Sequence, residues 1–134
     1  MSVKPKYVDR ILHGRKTIEF RKVRPKIEIG DILLIYASSP IMELKAQAII
    51  SNISQDKPIH IWNKTKNIAG LSQTEFSDYF QGKDLAIGIH FGRIHFFQKP
   101  ITLQFLRNKW PGFMPPQNYT YFTRDQISFI IDSK

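Results

Sequence analysis

"HGRKTIEFRK", residues 13–22, joins two patterns of different period at a single glycine. Before it, Tyr7 to His13 places Val8, Ile11 and Leu12 at i, i+3, i+4 spacing, the apolar stripe of an amphipathic helix. Gly14 stands where a helix-ending glycine in left-handed geometry belongs. After it, "TIEFRKV", residues 17–23, alternates. Ile18 and Phe20 fall on one side, and Thr17, Glu19 and Arg21 on the other, as in a half-buried strand. The stretch therefore predicts a helix, a glycine stop and a strand, with Arg15, Lys16, Arg21 and Lys22 surrounding one carboxylate, Glu19.

Working outward, "SVKPKY" reads as a short strand entering that helix, and "RPKIEIGD" as a turn. "ILLIYA", residues 32–37, is a continuous apolar run between turn signals, read as a central strand buried on both faces. "SSPIMEL" is a loop and "KAQAIISNI" a strand. A short helix is expected around "IHIWNK", and a clearer one in "LSQTEFSDYFQG", where Ser72 and Glu75 make a capping box and Gly82 closes the helix. "LAIGIHFGRIHFF" supplies strand residues with Gly92 at a bulge or turn, and "PITLQFL" a strand or strand–helix junction. "KWPGFMPPQNYTYF" is proline-broken and aromatic, and "TRDQISFII" a closing helix or strand. No repeat, low-complexity tract or linker interrupts residues 1–134, which predicts one α+β domain. A small β-barrel of about five to six short strands with two to three flanking helices is the expected architecture.

The 134 residues are 42% hydrophobic and 23% charged, the balance of an ordinary globular domain. Absence of cysteine excludes disulfides, thiolate metal sites and cysteine catalysis. The N-terminus has no apolar run, and no segment approaches the ~18 apolar residues of a membrane span, so a soluble, cytoplasmic protein is expected. The formal net charge is +9, and nine cations fall within the first 26 residues against only Asp9 and Glu19. Such a field suits a polyanion partner, although a merely solvated basic face has the same composition.

"GRKTIEFR", Gly14 to Arg21, matches every fixed position of the GxKxxExR motif and resembles the ASCH family, a branch of the PUA-like superfamily. The resemblance continues through "GDILLIYASSP", the later helix and "PPQNYTYF". It implies a barrel whose cleft presents the motif to RNA or a nucleotide-like ligand. Expected contacts are Gly14, Arg15, Lys16, Glu19, Arg21 and Lys22, with Tyr36 and Ser38 from the end of the apolar strand. Tyr119, with Trp110, Phe113 and Tyr121, is available either for stacking on bases or for closing the core.

Some members of this family are hydrolases of acetylcytidine, with a lysine and a threonine in the motif and a glutamate from the later helix. Lys16 matches the lysine and Glu75 the glutamate, but the threonine position carries Glu19, which cannot serve as an alkoxide nucleophile. Thr17 is the remaining hydroxyl, so Lys16, Thr17 and Glu75 are the catalytic candidates, Glu75 doubling as helix cap. RNA cleavage, also an activity of the family, would draw on Lys16, Arg21, Tyr36 and Ser38 as acid, base and cationic support. With position 19 changed, the sequence favours an RNA- or nucleotide-binding module, in RNA metabolism or in the regulation of translation or transcription, over a hydrolase using the same cleft. His90 and His95 are a poor metal pair, and no metal or cofactor is expected.

Overall fold

The computed structural model describes residues 2–113. Along the chain lie β1 (Ser2–Val3), α1 (Pro5–Leu12), β2 (Ile18–Arg21), β3 (Ile32–Ala37), β4 (Glu43–Asp56), α2 (Pro58–Thr65), α3 (Gln73–Tyr79), β5 (Ala86–Thr102) and α4 (Leu103–Lys109). The strands form one sheet in the order β1-β3-β4-β5-β2, parallel between β1 and β3 and antiparallel elsewhere. The α+β class and the five strands agree with the sequence reading. The closed barrel does not: β1 and β2 end the sheet with no ladder between them. Two residues of β1 and four of β2 are too few to zip the seam. It is crossed instead by a side chain, Arg21 Nη2 donating to the Ser2 carbonyl at 2.9 Å.

Four helices occur among the described residues, one more than expected, because the "PITLQFL" segment turns helical at Leu103. Thr102 starts that helix by accepting the Phe105 N–H at 3.0 Å. α1 begins with proline at its first turn and buries Val8 and Ile11. Gly14, at φ +73°, lets the Arg15 N–H reach back to the Arg10 carbonyl at 2.9 Å and stops the helix. α3 has the full capping box between Ser72 and Glu75. β5 runs unbroken past Gly92, and the β4 register shifts between Ala48 and Ile50, where a Cβ on that glycine would stand 3.3 Å from the Ile49 carbonyl. No described helix is long and apolar enough to cross a membrane.

β3 is buried on both faces, as its unbroken apolar run predicts. Leu33, Ile35 and Ala37 join α1 and the long β4–β5 ribbon in one core cluster. Leu34 and Tyr36 pack the other way, with Phe97, Ile101 and Leu106. A third cluster sets Ile18 and Phe20 of β2 against Ile61 of α2, Phe76 of α3 and Phe80 just beyond it. Each large aliphatic or aromatic buried here contributes about 1.5–3 kcal/mol. These three clusters hold the sheet and helices together, and the β1/β2 seam is left without a ladder to close it.

Candidate functional site

That seam is a cleft of about 300 Å³, at the small end of the range for ligand sites. β1 and the start of α1 contribute Ser2, Val3, Lys4 and Tyr7 to one wall. β2 contributes Glu19, Phe20 and Arg21 to the other, and Leu71, Glu75 and Tyr79 close it from α3 and the loop before it.

Lys16 forms the floor and is only 1% exposed. Its ammonium donates to the Ala69 carbonyl at 3.0 Å and lies 3.6 Å from Glu19 Oε1. The rings of Phe20 and Tyr7 face it at 5.1 and 5.5 Å. Burial pushes the Lys16 pKa below the usual lysine value, and the Glu19 carboxylate opposes that shift only in part. Glu19, 8% exposed, spends its second oxygen on Arg21 Nη2 at 3.1 Å. The three motif charges thus form one row, Lys16–Glu19–Arg21, ending at the Ser2 carbonyl. The Arg21 Nε–H is buried with no partner among the described residues.

A second network borders the first. Arg10 Nη1 donates to the Gly70 carbonyl at 2.6 Å and to Glu75 Oε1 at 3.2 Å, and Lys6 lies 3.5 Å from Glu75 Oε2. The Ser72 backbone N–H, with help from Arg10, holds the Glu75 carboxyl down at about 2. Because that value is depressed from 4.5, the stabilisation is complete above about pH 4.5 and is lost as pH falls towards 2. Thermal melts of wild type and Glu75→Gln should therefore differ most near neutrality and converge as pH approaches 2. A gap independent of pH would contradict the assignment.

Of the expected contact residues, Lys16, Glu19, Arg21 and Ser38 line the cleft, with Glu75 from the catalytic candidates. Lys22 sits at the rim, its ammonium 4.5 Å above the Tyr79 ring. The others are placed elsewhere. Gly14 and Arg15 belong to the exposed helix-ending turn. Thr17 precedes β2, its backbone bonded to Ile68 and Phe91, and is not among the lining residues. The expected Thr17–Glu19–Arg21 grouping is thus corrected at its first member: β2 begins only at Ile18, and Lys16, not Thr17, lines the cleft with Glu19 and Arg21. Glu19 is buried, not the partly exposed group its charged surroundings suggest. Tyr36 is 2% exposed within the α4-facing core, where burial raises its pKa. Trp110 and Phe113 pack against that same cluster, and Tyr119 and Tyr121 lie outside the described residues.

Sequence reading missed Tyr7, Arg10, Gly70 and Tyr79. Tyr7 sits within the helical pattern beside Val8, and its cleft position depends on how α1 docks. Among the described residues, no three His, Asp or Glu side chains gather as a metal site. His90 Nε2 instead pairs with Ser54 Oγ at 2.8 Å, away from the cleft.

Comparison with known proteins agrees with this architecture. The ASCH domain family model matches residues 1–95. A Zymomonas mobilis protein named ASCH domain-containing ribonuclease is 28% identical over 131 residues, covering 98% of this chain and 88% of its own. The crystal structure of ASCH from Zymomonas mobilis superposes with a TM-score of 0.92 at 26% identity, covering 98% of this chain and 92% of that one. A tyrosine-to-phenylalanine variant of that protein superposes equally well, at a TM-score of 0.92. The motif row, the sheet order and these matches together place the chain in the ASCH domain family of the PUA-like superfamily.

Proposed function

We propose that this chain binds single-stranded RNA across the β1/β2 cleft and cuts the phosphodiester next to the nucleotide held there. The observation that carries the reading is Lys16, a buried ammonium of lowered pKa on the floor of a basic-rimmed cleft. A desolvated ionisable group beside a carboxylate in a cleft is the arrangement expected of a working acid or base. The ribonuclease name of the Zymomonas relative favours cleavage over binding alone.

The chemistry needs three roles, and the row offers them. Glu19 takes the proton of the ribose 2′-hydroxyl as its oxygen attacks phosphorus. Arg21 and Lys16 carry the charge that develops on the phosphoryl oxygens. As the bond from phosphorus to the 5′-oxygen breaks, Lys16 gives that oxygen a proton, and its lowered pKa makes it a better donor than an ordinary lysine. The products are a 2′,3′-cyclic phosphate and a 5′-hydroxyl. The acetylcytidine hydrolase alternative is disfavoured, since Glu19 stands at the nucleophile position and Thr17 lies outside the cleft lining.

Incubation with single-stranded RNA and with DNA of the same sequence tests the reading. RNA fragments ending in cyclic phosphate are expected, with intact DNA; RNA bound but uncut would leave only the binding module. Binding itself should weaken steeply with salt. Lys4, Lys6 and Lys22 are the exposed cations around the cleft. Three phosphates neutralised would give a log–log slope of about −2. A slope near zero at full affinity would contradict the electrostatic account.

A further inference from the structure

Lys16 is held from above by a loop of no chemical distinction, residues 66–72 between α2 and α3. Lys16 and Ala69 pair as an isolated antiparallel bridge. The Ala69 carbonyl takes the Lys16 ammonium at 3.0 Å, and the next carbonyl, of Gly70, takes Arg10 at 2.6 Å. Two successive carbonyls thus hold two cations of the cleft region.

Gly70 makes this possible. Its φ is +64°, and a Cβ built there would stand 2.4 Å from Lys16 Cβ, 2.9 Å from Cγ and 3.1 Å from Cα. These atoms are the root of the lysine, fixed by the backbone of the bridge, and cannot swing away as a flexible side-chain tip would. Gly82 provides the contrast: its φ is +76°, yet nothing lies within 4 Å of its Cβ site. Gly82 is required by its backbone alone, whereas Gly70 is required by what lies beneath it.

We infer that Gly70 is a positioning residue for Lys16, its missing side chain allowing the Ala69 carbonyl to lie on the lysine and keep its ammonium on the cleft floor. The importance of that placement for RNA rests on the function proposed above; the placement itself does not. A methyl group at position 70 must lift the loop or push Lys16 away from it. Either movement breaks the Ala69 contact and admits water to the ammonium.

The test compares wild type, Gly70→Ala and Gly82→Ala by acylation of Lys16 with a water-soluble N-hydroxysuccinimide acetate, read by peptide mass spectrometry, alongside RNA affinity. A lysine this buried is labelled only through local opening. Labelling should rise roughly tenfold in Gly70→Ala and stay at the wild-type rate in Gly82→Ala, with RNA affinity falling only in the former. A folded Gly70→Ala protein with wild-type labelling overturns the inference. If Gly70→Ala does not fold, both alanine substitutions are melted in a Lys16→Gly background. There most of the excess cost of the position-70 change over the position-82 change should disappear, and an unrelieved loss overturns the inference. A wild type that ignores RNA but shows the labelling contrast would refute the RNA reading and uphold Gly70.

Discussion

Lys16→Met is expected to lower RNA cleavage by about two to four orders of magnitude, the usual contribution of a positioned acid or base, with the melting point nearly unchanged. Methionine keeps the unbranched stem between Tyr7 and Phe20 and removes only the ammonium. Loss of that charge relieves a desolvation cost, because a cation 1% exposed has left nearly all its water. It also orphans the Ala69 carbonyl, a loss of about 1–3 kcal/mol. The two effects are opposed and comparable. Glu19 keeps Arg21 at 3.1 Å, so no uncompensated charge is left behind. A well-folded Lys16→Met protein cutting RNA at the wild-type rate would remove Lys16 from the chemistry and leave cleavage, if observed, to another part of the cleft.

The parts of this fold legible in sequence are those whose cause is local. Gly14 ends α1 because glycine takes φ +73° with no Cβ penalty. Ser72 and Glu75 cap α3 because the box needs only residues three apart. β3 is buried on both faces because it has no polar residue to point outward. What escaped depends on distant partners. Alternation placed Thr17 with Glu19 and Arg21, but Lys16 is drawn to the floor by Ala69, 53 positions later, through a bridge no periodicity reveals. Tyr36 ends an apolar run, and nothing in such a run says which residues turn towards α4. The open seam follows from the shortness of β1, which a two-residue segment does not advertise. The cationic segment was plain in sequence; its division into a buried row and an exposed rim was not.

Glu19→Gln should destabilise the protein by about 3–5 kcal/mol, the cost of breaking a buried ion pair from one side. On charge pattern alone, an exposed Glu19–Arg21 pair would be worth about 0–1 kcal/mol. Burial changes the expectation: Glu19 is 8% exposed and is the carboxylate within 3.6 Å of Lys16. Without it, the lysine keeps one carbonyl and two ring faces against full desolvation, and Arg21 retains the Ser2 carbonyl. The folded protein then lowers the Lys16 pKa further below its ordinary 10.5, so the native state binds fewer protons than the unfolded chain. Stability must rise with pH under that condition, and the deficit against wild type should narrow from neutrality towards about pH 10. Pairing the change with Lys16→Met identifies the cause. The double variant has no buried ammonium to strand and should recover most of the loss, a coupling within the roughly 0.5–3 kcal/mol typical of touching residues or somewhat above it. A Glu19→Gln cost below about 1 kcal/mol, insensitive to pH and additive with Lys16→Met, would show that the row is a solvated surface feature and that Lys16 does not depend on Glu19 for its charge.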